Sequence, residues 1–145
     1  MARSRMRNYK QVDTFTKDMG SAGGQILLGY IKKIDNVGRS GYVNNVTLSA
    51  LLNDGGQQES YGIMYYASTG ATWADDNVIS ARAVAVAGTQ SVPIKRRIAA
   101  NSAKTDSNDG IVYIYAELTD ITITGDVELR FAIETWGRYV EFVKA

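Results

Sequence analysis

Alternation of apolar and polar residues, with little sign of helical spacing, organises most of this chain. Val46, Leu48, Ala50 and Leu52 alternate with Thr47 and Ser49, which predicts a half-buried strand. Tyr61, Ile63, Tyr65 and Ala67 repeat the period of two. Gln25–Ile34 is apolar and rich in β-formers, with Leu28, Tyr30 and Ile34 on one parity. Val92, Ile94 and Ile98 share a parity around Lys95-Arg96-Arg97. Pro93, which has no N–H to donate, assigns that strand to a sheet edge or marks its start. The strongest signal runs from Ile111 to Thr124, with Val112, Ile114, Ala116 and Leu118 on one face and Tyr113, Tyr115 and Glu117 on the other. Val127, Leu129, Phe131 and Ile133 then alternate with Glu128, Arg130 and Glu134. A tight turn at Gly125-Asp126 would fold these two rows into a hairpin with both on one buried face. Gly137 predicts a bulge or bend, and Tyr139–Val143 carries the pattern onward.

Polar, turn-forming clusters separate the strands: Asp35-Asn36-Val37-Gly38, Asn53-Asp54-Gly55-Gly56, Ser68–Thr72 and the long run Ala99–Gly110. Asp75–Arg82 reads equally as a short helix, with Asp75 and Asp76 suiting its start, or as the run into a strand through Val84 and Val86. About eight short strands with little helix between them predict an antiparallel sandwich or barrel, since parallel βαβ units would need helices that do not fit. Residues 1–24 read as a flexible basic arm ending in the joint Gly20-Ser21-Ala22-Gly23-Gly24, and residues 25–145 as one β domain.

Composition narrows the chemistry. The chain of 145 residues suits one domain. It has Cys 0 and His 0, which removes disulfides, thiolate nucleophiles, His-based triads and Cys or His metal ligands. No apolar run is long enough to span a bilayer, and no hydrophobic stretch follows the basic, polar Met1–Lys10 as in a secretory signal. The expectation is that the protein starts life in the compartment where it is made, without a signal peptide. Lys and Arg total 16 and Asp and Glu 15. Four of the cations, Arg3, Arg5, Arg7 and Lys10, fall in the first ten residues with no acid among them. Such a tail is either an arm that meets polyanion or a solvated terminus.

Carboxylates are the remaining acid–base groups. Asp75-Asp76 and the pair Asp106 and Asp109 have no spacing that sets two carboxylates across a cleft, and turn or helix-cap duty explains them more simply. Asp106-Ser107-Asn108-Asp109-Gly110 has the oxygen density of a calcium loop but lacks the twelfth-position Glu of an EF-hand. No Gly-rich stretch matches a nucleotide-binding fingerprint. We therefore expect no catalytic set, no metal and no cofactor. Lys95 and Arg97 share one side of their strand, suited to phosphate or subunit contact or to protecting a sheet edge. Trp73 and Trp136 are candidate interface aromatics, and core packing accounts for most other rings.

Three segments carry a family resemblance: Met1–Lys10, Val92–Ile98 (VPIKRRI) and Asp109–Arg138 (DGIVYIYAELTDITITGDVELRFAIETWGR). Together they resemble the small single-jelly-roll coat proteins of simple icosahedral viruses. The last segment is similar to the final strands of coat proteins from small circular single-stranded-DNA viruses. The resemblance implies an all-β jelly-roll sandwich of about eight strands, many copies forming a shell, and location in the virion. It also implies an arm of Arg3, Arg5, Arg7 and Lys10 facing the packaged, single-stranded genome. The arm departs from that family in being shorter and poorer in Arg, so binding per copy would be weak and would rely on avidity. The rival readings are a carbohydrate-binding β-sandwich using Trp73, Trp136 and tyrosines, and a phage head-decoration or tail component.

Overall fold

The computed structural model describes residues 9–20, 24–34, 38–52, 62–85, 88–98, 110–119 and 127–145. Among the described residues nine strands form: β1 (Tyr9–Gly20), β2 (Ile26–Lys33), β3 (Gly41–Leu52), β4 (Gly62–Ser68), β5 (Val78–Ala85), β6 (Thr89–Ile98), β7 (Val112–Thr119), β8 (Val127–Arg138) and β9 (Val140–Lys144). One sheet has the order β1-β8-β3-β6 and the other β5-β4-β7-β2-β9, with every pairing antiparallel. Consecutive strands change sheet at every step except β4 to β5. This is the jelly roll, eight strands in two interleaved sheets, with β9 added at the β2 edge.

The alternation marks the core. Val43, Val46, Leu48 and Ala50 of β3, Val92, Ile94 and Ile98 of β6, and Val127, Leu129, Phe131 and Ile133 of β8 line the first sheet's inner face. Leu28 and Ile31 of β2, Ile63, Tyr65 and Ala67 of β4, and Val112, Ile114, Ala116 and Leu118 of β7 line the second's. The β7 and β8 rows are both buried, but not as a hairpin. β7 pairs with β2 and β4, and β8 with β1 and β3, so the rows belong to different sheets of one core. Period-two patterning states which face of a strand is buried and is silent on which sheet holds it, so it could not separate the two arrangements. The Gly125-Asp126 turn lies outside the described residues.

Three other expectations change. β1 begins at Tyr9, so the sheet starts inside the stretch read as an arm. The inward positions of β1 are Gln11, Asp13, Phe15, Lys17 and Met19, of which only Phe15 and Met19 are apolar core residues, and this hid the strand. In β2 the register slips between Leu27 and Gly29, so Leu28 and Ile31 point inward while Tyr30 lies outside against Tyr113. A bulge of this kind inverts parity, which is why Leu28 and Tyr30 only look like neighbours on one face. Of the two readings of Asp75–Arg82, the strand takes most of it: a three-residue 3-10 turn at Asp75–Asn77 leads directly into β5.

Pro93 lies on β6, which pairs only with β3 and is therefore an edge strand, as its missing N–H requires. Gly137 lies opposite the β3 irregularity between Val43 and Asn45. A Cβ there would collide with the Tyr42 carbonyl oxygen and press on Val140 Cγ2, so only glycine permits this approach.

β1 and β9 close one side of the sandwich. The Gln11 side-chain amide accepts from the Phe142 N–H at 3.0 Å and donates to the Phe142 carbonyl at 3.5 Å, imitating a strand partner for β9. Phe15 rests against Phe131 and Phe142, with ring centroids 5.7 and 6.0 Å apart. Between these contacts sits Asp13, whose Oδ2 is buried without a hydrogen-bond partner among the described residues. Burial, and then the negative charge of Glu141, push its pKa above the usual carboxylate range.

Two outcomes follow for stability. Phe131 is fully buried, so Phe131→Ala should cost ~3–5 kcal/mol by chemical denaturation. The outward-facing Arg130→Ala should stay within about 0.5 kcal/mol. Because folding raises the Asp13 pKa, the native state gains from protonation and loses stability as pH climbs from the unfolded value through the folded one. Asp13→Asn should therefore raise the melting temperature at pH 7 and change it little below about pH 4. Equal shifts at both pH values would show that Asp13 is not the titrating cost.

Candidate functional site

The outer faces of the two sheets differ. On the second sheet a cluster of rings anchors the segment after β4. Trp73 meets Tyr66 and Tyr115 edge-on, at centroid distances of 4.7 and 5.2 Å. Its indole N–H donates to Asp75 Oδ1 at 3.1 Å, and the Tyr115 hydroxyl donates to the Gly70 carbonyl at 2.8 Å. Below them the Tyr66 hydroxyl donates to Glu117 Oε1 at 2.7 Å, where Gln25 also donates at 3.3 Å. Desolvation, followed by the Glu117 carboxylate, pushes Tyr66 up to about 12. These contacts make a small satellite core that holds residues 69–77, and Trp73 is part of its packing. Asp75 and Asp76 are exposed in the 3-10 turn.

Trp136 lies elsewhere, on the outer face of β8 in the first sheet, beneath the Lys10 ammonium at 5.5 Å from its centroid. The two tryptophans therefore lie on opposite outer faces and do not form one aromatic platform. On the first sheet's outer face Val12, Thr47, Ser49, Thr89, Ala132 and Glu134 surround a shallow depression of about 130 Å³. That is well under the ~300–1,000 Å³ of a small-molecule site.

One end of the first sheet gathers cations and rings. Register places Arg97 of β6, Tyr42 of β3 and Arg138 of β8 side by side in one row across the sheet. The adjacent row runs Pro93, Asn45, Trp136 and Lys10. At ~4.8 Å between strands and ~3.4 Å per residue, the two rows frame an area about 10 Å by 7 Å. Arg138 Cζ stands 5.7 Å from the Tyr42 centroid, and Arg39 Cζ 5.9 Å from that of Tyr139. Arg97 Nη1 donates to Ser40 Oγ at 3.4 Å. Arg39, Lys95 and Arg97 are exposed, and Lys10 pairs loosely with Glu134 at 3.9 Å. No acid occupies either row.

The backbone is strained at this same end. Lys95 (φ 52°) and Tyr139 (φ 57°) are the non-glycine residues with positive φ among those described. Lys95 belongs to the irregularity where β6 spends two residues against Asn44 of β3. Tyr139 makes the one-residue corner between β8 and β9, and its carbonyl accepts from the Ile34 N–H at 2.9 Å. Each such residue costs of order 1–3 kcal/mol, and positions of this kind concentrate at working surfaces.

The structure thus brings together Lys95, Arg97, Trp136 and Lys10 from the candidates, and leaves Trp73 apart. Lys10 belongs to β1, while Arg3, Arg5 and Arg7 lie outside the described residues. Tyr9 pairs with Gly137, so the chain enters the sheet at this end. Sequence reasoning missed Arg39, Tyr42, Arg138 and Tyr139. The adjacent Arg138-Tyr139 pair was visible, but the row joining it to Arg97 exists only through the β6-β3-β8 register. Asp106, Asn108 and Asp109 also lie outside the described residues. Among those described, no three acidic residues stand close enough to hold a metal, and no helix is long and apolar enough to cross a membrane.

The sequence matches no protein-family model and no curated protein. Solved structures with similar folds include an endospore appendage of Bacillus described as a disulfide-linked pilus, at 13% identity, TM-score 0.34, covering 92% of this chain and 95% of that one. Another is the semi-empty virus-like particle of the giant freshwater prawn nodavirus, at 10% identity, TM-score 0.39, covering 95% and 97%. A third is Mud Crab Dicistrovirus, at 12% identity, TM-score 0.42, covering 94% and 70%. At these scores the likenesses carry no information on function.

The ring cluster gives a local outcome. Trp73→Ala should speed amide exchange at Thr69 and Asn77, whose N–H groups bond within the segment, while the β7 amides keep their protection. Uniform acceleration across the domain would mean that Trp73 supports the global core instead.

Proposed function

We propose that this chain is a coat protein whose copies assemble into a closed shell around nucleic acid, with no reaction and no cofactor. The observation that carries the reading is the jelly-roll strand order, β1-β8-β3-β6 over β5-β4-β7-β2, with a basic end where the chain enters the sheet. The jelly roll serves viral capsids and lectin domains alike, so the fold alone does not choose between them. Two features favour the shell. The tryptophans that would make a sugar platform are divided between opposite outer faces. The cations instead collect beside the start of β1, where residues carrying Arg3, Arg5 and Arg7 join the domain. A virion location, synthesis in the host cytoplasm and a single-stranded genome belong to the same reading. The second reading, a structural component of a phage head or tail, uses the same fold without a closed shell. Linkage by disulfides is unavailable to either, because the chain has Cys 0.

Purified protein should sediment as large particles and appear as closed shells by electron microscopy. Open tubes or filaments would favour the phage-component reading, and a monomer at all salt and protein concentrations would overturn both.

A further inference from the structure

We infer that the outer face of the first sheet is an interface between two copies of this chain, packed face to face about a twofold axis that crosses the strands at the row Thr14, Ala132, Ser49 and Thr89. The inference goes beyond the shell reading, because such a pair forms or fails whether or not a shell does.

The first observation is the symmetry of the charges. Arg130 and Glu134 stand two residues to either side of Ala132 on β8, and Asp18 and Lys10 stand four residues to either side of Thr14 on β1. Each of these four charges has an opposite charge at the mirror position across the central row. A face patterned in this way is complementary to itself. Turned over about that row, Arg130 of one copy meets Glu134 of the other, and Asp18 meets Lys10, in both directions. Glu128, beside Asp18, falls on Trp136 next to that same lysine. Within its own chain Lys10 already pairs with Glu134 and lies over Trp136, and Asp18, Glu128 and Arg130 are engaged as well. The interface adds partners of opposite sign to these charges and does not require any of them to be bare.

The second observation is where apolar surface is left. Val12 and Leu51, each 52% exposed, are the large apolar side chains left exposed among the described residues, and both lie on this face. Leu51 shares the Arg130 row and mirrors onto Thr47, at the rim of the shallow depression, while Val12 at the same depression mirrors onto Thr16. The projecting leucine of each copy thus meets the depression of the other. Residues of the central row are short and uncharged, so the sheets can close to the ~10 Å of packed sheets.

The third is area. Four strands at ~4.8 Å and the twelve residues of β8 at ~3.4 Å give a face of about 19 Å by 40 Å. That is about 750 Å² per copy and about 1,500 Å² for a pair, the size of a stable interface. The mirror relation selects a second copy as the occupant, since a foreign partner has no need of it.

The test follows the full chain by sedimentation velocity over a concentration series, with any large particles first removed by pelleting. The unaltered chain should show a dimer that gives way to monomer on dilution. Arg130→Glu alone opposes acid to acid, Glu134→Arg alone opposes cation to cation, and each should weaken the dimer at least about tenfold. An equimolar mixture of the two variants should restore it, because every such pair across the interface then has opposite signs. Mixing repairs neither a damaged fold nor a lost contact to Lys10 within one chain. Arg82→Glu and Asp76→Arg, exposed outside this face, make the same charge changes and should neither weaken the dimer nor respond to mixing. Leu51→Ala should weaken it by about tenfold, since two leucines leave the interface. The chain has Cys 0, so Ser49→Cys places a single thiol at the axis. A bis-maleimide that reaches ~10 Å should join it to its counterpart and leave Asp76→Cys unjoined.

Failure of the mixture to restore the dimer overturns the inference, as does equal cross-linking of Ser49→Cys and Asp76→Cys. A chain that stays monomeric, with Ser49→Cys unjoined, leaves this face to a different partner and overturns it too. Cross-linking of the pelleted fraction keeps the two readings apart. Particles whose Ser49→Cys subunits do not join in pairs sink this inference and keep the shell. A dimer rescued by mixing, without particles, supports this inference and sinks the closed shell.

Discussion

One apolar core shared by two sheets organises this protein, and the remaining structure is arranged around keeping it dry. Val112, Ile114, Ala116 and Leu118 of β7 project from one sheet, and Val127, Leu129, Phe131 and Ile133 of β8 from the other. No disulfide supplements this burial, since the chain has no cysteine. Stability in the domain therefore rests on apolar area removed from water between two sheets. β7 and β8 are both interior strands, paired on each side, so their backbone groups are satisfied where water is excluded. The outer strands then have only to cover the flanks.

The flanks are covered unequally. β1 contributes Phe15 and Met19 to the core but also carries Asp13 inward, with a buried carboxylate oxygen that lacks a hydrogen-bond partner among the described residues. Gln11 offsets part of this cost by bonding the β9 backbone. The far edge, β6, is guarded differently: Pro93 removes a donor, and Lys95 and Arg97 place charge there, both of which discourage unwanted strand pairing. The same cations stand at the end of the sheet that gathers Tyr42 and Arg138.

The strand register is what turns scattered residues into a surface. Arg97, Tyr42 and Arg138 are far apart along the chain and adjacent across three strands. The bulges in β3 and β6 and the glycine at 137 set that alignment, because without the room at Gly137 the β3 backbone could not approach β8 there. Trp136 and Trp73, by contrast, looked like a pair of equals in the sequence. One became part of a satellite core and the other part of a charged face, because Trp73 lies in the segment after β4, packed on the outer face of one sheet, and Trp136 lies on β8 of the other.

Much of the fold was legible in the sequence. Period-two runs located β3, β4, β6, β7 and β8 and marked the core rows Val46, Leu48 and Ala50, Ile63, Tyr65 and Ala67, Val92, Ile94 and Ile98, Val112 to Leu118 and Val127 to Ile133, because in a strand the side-chain period is two whatever sheet the strand joins. Pro93 announced an edge for an equally local reason. β1 escaped because polar Gln11, Asp13 and Lys17 occupy its inward positions at the rim, where burial is partial and alternation is blurred. Leu28 was matched with Tyr30 because a bulge changes parity without leaving a mark in composition. The candidate surface was only half visible: Lys95, Arg97, Trp136 and Lys10 stood out singly, and Arg39, Tyr42, Arg138 and Tyr139 did not. By itself the sequence determined the β character, the core-facing residues and the absence of thiol and imidazole chemistry, all properties of single residues or short runs. The exchange of consecutive strands between sheets, the separation of β7 and β8 into different sheets, and the row of cations and rings were decided by tertiary structure alone, because each depends on which distant strand supplies the hydrogen-bonding partner.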